Sequence, residues 1–119
     1  MPSVLIIDDS ELILQMLEMV CQQAGFETTT ATNFTGARSA LEGRRFDAVI
    51  TDLNMPDVSD PVAEVRAICD VPVVIVSGQA QADLDVIAAE QGAAGAVSKD
   101  AGMMGMATAL PALLTSIMS

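Results

Sequence analysis

Five side chains of this 119-residue chain have the types and positions that could bind a metal and handle phosphate: Asp8, Asp9, Asp52, Ser77 and Lys99. Each follows a hydrophobic segment. Three carboxylates held close together repel one another and raise each other's pKa, so such a group is costly unless a cation joins it. Mg²⁺ fits this role, because it prefers oxygen ligands and keeps several waters. A carboxylate beside Mg²⁺ can attack phosphorus and form an aspartyl phosphate.

Asp52 is the expected nucleophile, because it stands alone at the end of its segment. Asp8 and Asp9 are adjacent and suit a metal-binding pair. The chain contains no His, which excludes Ser-His-Asp triads and HExxH zinc sites within it. Cys21 and Cys69 are isolated within apolar segments, so zinc is disfavoured and both are expected to be small hydrophobic residues of a reduced protein.

Strand and helix patterns alternate along the chain. We predict strands at residues 4–7, 26–30, 46–51, 71–76 and 94–97. Helices are predicted at 12–20, from Asn33 to about 43, at 61–68 and 84–89, and over the remaining tail, with Ser10 and Asn33 as caps. This βα order predicts an α/β fold with a parallel sheet, helices on both faces and right-handed crossovers. The five candidate residues then gather at one edge of the sheet, where open α/β folds bind ligands.

Composition narrows the classes of protein and partner. With 51% hydrophobic residues and no linker, residues 1–119 are expected to form one soluble, cytoplasmic domain without an effector domain. The formal charge of −11 argues against a nucleic-acid partner. The N-terminal apolar run is too short for a signal peptide. The tail from Met103 to Met118 is interrupted by Gly105 and Pro111 and falls short of the roughly 20 residues of a membrane span.

These residues resemble the receiver domain of two-component response regulators, over essentially the whole chain. The resemblance rests on residues 4–9 (VLIIDD), residues 51–57 (TDLNMPD), the pair Ser77-Gly78 and Lys99. It implies a doubly wound, flavodoxin-like (βα)5 domain with the strand order 2-1-3-4-5.

The resemblance also implies a metal site and a phosphoacceptor. Asp8 and Asp9 would bind Mg²⁺ directly or through water, and Asp52 would accept the phosphoryl group. Asn54 would offer its backbone carbonyl to the metal.

Further roles at the phosphoryl group follow from the same resemblance. Ser77 would hydrogen-bond a phosphoryl oxygen, Gly78 would contribute a backbone N–H, and Lys99 would form an ion pair with the phosphate. A partner histidine kinase or phosphotransfer protein would supply the phosphoryl group, and a downstream protein target would receive the signal. Self-phosphorylation and self-dephosphorylation at Asp52 would be the only chemistry of the chain itself.

The chain departs from the family at three places. Ala96 stands where receivers usually carry an aromatic residue that turns inward on activation. Asp100 follows Lys99 in place of the common Pro, and we expect it to cap the last helix. Residues 59–61 (SDP) replace the usual Gly of the loop after the third strand. Asn54 and Gln79 are expected to flank the path of the hydrolytic water.

The last helix has almost no polar face. One interpretation is a surface for a partner or a homodimer, since Met-rich apolar patches adapt to partners. The alternatives are a helix folded tightly against the core and a tail truncated from a longer protein. The apolar residues concerned are Met103, Met104, Met106, Leu110, Leu113, Leu114, Ile117 and Met118.

Two other functions are compatible with the pattern. The first is a pseudo-receiver that binds partners without phosphorylation, for which Ala96 and Asp100 are mild support. The second is a phosphatase with an aspartyl nucleophile. Such enzymes place an Asp two residues after the nucleophile, where this chain has Ser10, Glu11 or Asn54.

Overall fold

Five strands and five helices alternate in the computed structural model, which describes residues 1–118. The strands are β1 (Ser3–Ile7), β2 (Glu27–Ala31), β3 (Ala48–Thr51), β4 (Val73–Ser77) and β5 (Gly95–Ser98). The helices are α1 (Glu11–Gln23), α2 (Phe34–Gly43), α3 (Pro61–Ile68), α4 (Gln81–Gln91) and α5 (Gly102–Met118), with a 3-10 turn (Lys99–Ala101) before α5. All strands are parallel, in the order β2-β1-β3-β4-β5, which confirms the predicted doubly wound sheet.

The register of the strands brings their carboxyl ends to one edge. Ile7 pairs with Thr51 across β1 and β3, so Asp8 and Asp52 each come one residue beyond a paired position. In the other half of the sheet, Ser77 at the end of β4 pairs with Ser98 at the end of β5, and Lys99 follows Ser98 directly. The predicted convergence of strand ends therefore results from pairing in register.

The sheet is covered on both faces, which explains why its central strands are apolar without alternation. In β1, Val4 and Ile6 pack toward α1 and α5, whereas Leu5 and Ile7 pack toward α2, α3 and α4. Successive side chains of a strand point to opposite faces, so one continuous apolar run supplies both cores. All four of these residues are at most 1% exposed.

Side-chain caps define the starts of the first two helices, as predicted. The Ser10 hydroxyl accepts a hydrogen bond from the backbone N–H three residues on at 3.4 Å, and the Asn33 side chain accepts the equivalent bond at 2.8 Å. Each cap satisfies an N–H group that has no partner within its helix.

The expectation that Asp100 caps the last helix is wrong. Asp100 lies inside the 3-10 turn, and its backbone N–H donates to the Ser98 hydroxyl at 3.1 Å. Ser98 therefore caps this turn, and α5 begins only at Gly102.

The apolar side of α5 packs mostly against the sheet and α1. Met106, Leu110 and Leu114 are buried, and the partly buried Met103, Leu113, Ile117 and Met118 contact the same core. Of the eight apolar residues singled out in this helix, Met104 is the exposed one, at 84%. The structure therefore favours a helix folded against its own domain.

The segment Lys99–Met118 is 20 residues long and apolar enough to cross a membrane by length and composition. The expectation that this tail is too short for a membrane span was therefore wrong. One such helix is weak evidence for a span, because the core helix of a soluble domain can have the same length and composition. Here seven of the eight apolar residues singled out in this helix pack against the core, and Met104 does not.

Candidate functional site

Lys99 lies between two buried carboxylates at the carboxyl edge of the sheet. Its ammonium nitrogen is 2.7 Å from Asp52 Oδ2 and 2.8 Å from Asp8 Oδ2. Asp8 is 1% exposed and Asp52 is 6% exposed. The structure thus brings together three residues that are up to 91 positions apart in the chain, as the strand-end argument predicted.

Backbone donors fix the second oxygen of each carboxylate. The Ser10 N–H donates to Asp8 Oδ1 at 2.9 Å, and the Asn54 N–H donates to Asp52 Oδ1 at 3.2 Å. Each carboxylate is therefore held by the loop that follows it and by the lysine opposite. These contacts orient both groups without a bound ligand.

Asp9 completes a group of acids that could hold a cation. Asp8, Asp9 and Asp52 each offer one carboxylate oxygen, and these oxygens lie within 4.8 Å of one another. With all three ionised and Lys99 as an ammonium, the group carries a charge of −2. A divalent cation with a preference for oxygen ligands matches that charge and that donor set, which fits Mg²⁺. Asp9 is exposed, so the group is open to solvent on one side.

Burial and the ion pairs shift two pKa values in this group. Desolvation raises the pKa of Asp8 above its ordinary value, although Lys99 and the Ser10 N–H act in the opposite direction. Burial alone would lower the pKa of Lys99, but hydrogen bonds and charge from Asp52 and Asp8 outweigh it, so that pKa is raised. Lys99 therefore stays protonated at neutral pH.

Ser77 ends β4 at the same edge, and its side chain is fully buried. Its hydroxyl oxygen has no hydrogen-bond partner among residues 1–118. A buried polar group without a partner costs free energy, so a ligand oxygen arriving here would gain a donor that is otherwise unused. The next residue, Gly78, is exposed and has open space on the side where a Cβ would lie.

The other predicted site residues lie on the surrounding loops. The side chains of Asn54 and Gln79 are exposed. Ala96 is partly buried in β5 and packs with the α2–α4 side of the core.

The role of Asp57 was not predicted. Its carboxylate accepts hydrogen bonds from the backbone N–H of Phe34 at 2.9 and 3.1 Å and of Thr35 at 3.2 Å. The hydrogen bonds from Phe34 and then Thr35 lower the pKa of Asp57. This side chain therefore ties the loop after Asp52 to the start of α2. The two ends of this contact are more than 20 residues apart, so no local sequence pattern signals it.

Gln81 and Ser98 were also missed as loop-organising residues. Gln81 contacts the backbone of β5, and the Ser98 hydroxyl contacts the segment after Ser77. A polar residue at the start of a helix and a Ser at a strand end are both common, so neither stood out in the sequence.

Comparisons with known proteins agree with this arrangement. A family model described as the response regulator receiver domain matches residues 4–110. Among curated proteins, the transcriptional regulatory protein PrrA of Mycobacterium tuberculosis is 41% identical over 97 residues, covering 77% of this chain and 41% of PrrA. The transcriptional regulatory protein KdpE of the same species is 34% identical over 105 residues, covering 87% of this chain and 46% of KdpE. The chain thus spans less than half the length of these relatives.

Solved structures show the same fold. A response regulator receiver domain protein from Clostridium thermocellum superimposes with a TM-score of 0.78 at 27% identity, covering 99% of this chain and 94% of that one. The chemotaxis response regulator CheY4 of Vibrio cholerae gives a TM-score of 0.79 at 27% identity, covering 95% and 98% of the two chains.

Proposed function

The chain belongs to the response regulator receiver domain family, and from that membership we propose that it is a phosphoacceptor module in which Asp52 receives a phosphoryl group. One observation carries the proposal. Asp52 lies within the acidic group that could hold Mg²⁺ and is also 2.7 Å from the only lysine of the chain. A carboxylate nucleophile, a cation site and a second cation for the phosphoryl oxygens are therefore adjacent.

We expect the phosphoryl group to be transferred in line to Asp52. An oxygen of the Asp52 carboxylate attacks phosphorus, the new O–P bond forms, and the bond from phosphorus to the donor's imidazole nitrogen or acyl oxygen breaks. The donor group leaves with the bonding electron pair. The Asn54 N–H keeps one Asp52 oxygen in place, and Lys99 can stay in contact with a phosphoryl oxygen as charge moves outward. Mg²⁺ held by Asp8, Asp9 and Asp52, with the Asn54 carbonyl as a further ligand, would supply positive charge to the phosphoryl oxygens.

Ser77 and Gly78 would complete the contacts to the modified aspartate. The Ser77 hydroxyl donates to a phosphoryl oxygen and thereby gains the hydrogen bond that it lacks in this structure. The Gly78 N–H contacts a second oxygen. The buried hydroxyl without a partner is the observation that supports this role, because such a group is stable only where another gain offsets its cost.

The donor and the target would be other proteins. Because the chain has no His, the phosphohistidine must lie on a histidine kinase or a phosphotransfer protein. A downstream protein then binds the phosphorylated form, in the cytoplasm. Nucleic acid is a poor partner for a chain with a charge of −11. No enzymatic activity is proposed beyond Mg²⁺-dependent self-phosphorylation and self-dephosphorylation at Asp52.

A pseudo-receiver is the second candidate, and Ala96 favours it. A methyl side chain cannot turn between an outer and an inner position as an aromatic ring can, so one part of the usual switch is missing. In that case the fold would bind partners without any change at Asp52.

Intact-mass spectrometry after incubation with acetyl phosphate and Mg²⁺ separates the two candidates. We expect the wild-type protein to gain the mass of one phosphoryl group and Asp52→Asn to gain none. The matched control is Asp70→Asn, an exposed aspartate just before β4 at the opposite edge of the sheet, which should be modified as the wild type is. An unmodified wild type, or modification that persists in Asp52→Asn, would contradict the phosphoacceptor assignment.

A further inference from the structure

Two side chains fasten the connection between β4 and α4 to the outer strand β5. The Gln81 amide nitrogen donates to the Ala96 carbonyl at 2.9 Å, and its amide oxygen accepts from the Ser98 N–H at 2.9 Å. The Ser98 hydroxyl donates to the Gln79 carbonyl at 2.6 Å. We call this set of three hydrogen bonds the β5 latch.

The latch uses backbone groups that the sheet leaves unpaired. Because β5 is the last strand of the sheet, only one of its edges pairs with another strand. Ala96 and Ser98 are two positions apart, so their N–H and C=O groups point the same way. A primary amide has both donor and acceptor atoms, so Gln81 can contact the two residues together, as a neighbouring strand would.

The latch also positions the start of α4. The N-cap residue Ala80 offers no side chain that could cap this helix, and the described part of the chain supplies no other side-chain cap. The first turn of α4 is instead held through Gln81, whose amide also donates to Asp85 one turn later at 2.9 Å. This second bond fixes the orientation in which the amide faces β5.

Ser98 stands between the two groups that would contact the phosphoryl group. It pairs with Ser77 across β4 and β5, and it immediately precedes Lys99. Its buried hydroxyl donates to the Gln79 carbonyl and accepts from the Asp100 N–H. One hydroxyl therefore links the segment after Ser77 to the turn that carries Lys99.

On the basis of the function proposed above, we propose that Gln81 and Ser98 are positioning residues. They couple residues 77–79 to the outer edge of β5 and to the first turn of α4. When Ser77 and Gly78 move toward a phosphoryl group on Asp52, the Gln79 carbonyl moves with them. That movement changes the Ser98 bond and shifts Gln81 along the edge of β5. The latch thus transmits phosphorylation of Asp52 to the surface formed by β5 and the start of α4. The Ala96 side chain cannot take this role.

The test follows backbone amide signals by NMR while Mg²⁺ and beryllofluoride, a phosphoryl mimic, are added. In the wild type we expect changes near Asp52 and Lys99 and also at Ala96 and residues 82–87. In Gln81→Met, which keeps the length of the side chain but loses its polar atoms, the changes near Asp52 should persist. Those at Ala96 and residues 82–87 should fall by roughly half or more, since the bonds that join these elements are gone.

Matched variants separate positioning from general stability. Gln15→Met alters another exposed helical glutamine, on α1, and should respond as the wild type does. Ser98→Ala should weaken the response at Ala96 and α4, and Ser98→Thr, which keeps the hydroxyl, should restore it. If Ser98→Ala does not fold, Gln81→Met still decides the matter, because the Gln81 side chain is exposed.

Two negative results have different meanings. A full response at Ala96 and α4 in Gln81→Met would overturn the latch and leave the phosphoacceptor proposal intact. A wild-type protein without any change near Asp52 would overturn the phosphoacceptor proposal, and the latch with it.

Discussion

Replacing Lys99 with Met should destabilise the unmodified protein strongly and make its stability depend on Mg²⁺. Lys99 is the cation that contacts both Asp8 and Asp52. Its side chain is 19% exposed, against 1% and 8% for the two aspartate side chains. Methionine has a similar length and fills similar space, so the main change is the loss of one positive charge between two buried negative ones.

The distances between the charged groups show how the attraction by Lys99 compares with the repulsion between the carboxylates. With an effective dielectric constant of about 20, each contact of Lys99 at 2.7–2.8 Å corresponds to about 6 kcal/mol of attraction before desolvation. The carboxylate oxygens of the acidic group lie within 4.8 Å of one another, so each pair repels by at least about 3 kcal/mol under the same conditions. Removing one partner of a buried ion pair typically costs about 3–5 kcal/mol. Allowing for the partial exposure of Lys99, we expect the free energy of unfolding of Lys99→Met to fall by about 2–4 kcal/mol at neutral pH.

Urea denaturation with and without Mg²⁺ measures this loss. Millimolar Mg²⁺ should restore most of the stability of Lys99→Met, because a cation bound to the same acids replaces the missing charge. Arg38→Met is the matched control, since it removes a cation from an exposed pair with Glu64 that should contribute less than about 1 kcal/mol. Asp52→Asn should stay within about 1 kcal/mol of the wild type, because Lys99 keeps Asp8 as its partner and the repulsion between Asp52 and the other two acids is removed. Equal stability of Lys99→Met and the wild type without Mg²⁺ would refute the reasoning.

Four further predictions concern parts of the fold away from Lys99. Burial raises the pKa of Cys21 from 9.0 to about 12. The buried neutral thiol therefore contributes fully to stability below pH 9, and this contribution falls as the pH rises. The loss should reach about 3 kcal/mol near pH 11 in urea titrations and be absent in Cys21→Ala. Hydrogen bonds from the start of α2 lower the pKa of Asp57, so Asp57→Asn should lower the Tm at neutral pH, and this difference should shrink as the pH falls through that lowered pKa. Gly92 has a φ of 75°, and a Cβ there would collide with the Arg66 guanidinium; Gly92→Ala should cost about 1–3 kcal/mol. Gly43→Ala, with open space around the new Cβ, should instead add about 0.4–1 kcal/mol, with chemical denaturation as the measurement for both.

The sequence was sufficient to predict the sheet and the acidic edge, because both depend on local patterns. Continuous apolar runs marked β1, β3 and β4, and the polar residues after each run marked the strand end, whereas β2 was predicted from its threonines. Asp8 and Asp52 could be placed side by side since parallel strands in register bring their carboxyl ends together. The boundaries were less accurate. The fourth helix, predicted at 84–89, spans Gln81–Gln91, because its first turn is held by contacts to β5 rather than by an apolar pattern.

Contacts between distant loops could not be predicted, because they depend on the reach and rotamer of single side chains. Asp57 looked like one member of a loop motif, yet it caps a helix that begins 23 residues earlier. Asp100 looked like the cap of the last helix, yet the chain first makes a 3-10 turn, and Ser98 caps that turn. Both errors arise where polar side chains choose among several nearby backbone donors, and only the folded arrangement decides which donor is within reach.

The apolar last helix shows why hydrophobicity alone did not identify a partner surface. Residues such as Met106, Leu110 and Leu114 repeat every four positions, so they occupy one stripe of α5, and that stripe is buried on the sheet. The opposite side is apolar mainly because it is rich in small residues such as Ala107 and Ala112, which expose little area each. If Asp52 accepts a phosphoryl group as proposed, a partner that distinguishes the modified state needs a surface whose structure changes with it. The hydrogen bonds of Gln81 and Ser98 connect β5 and the start of α4 to the segment that follows Ser77.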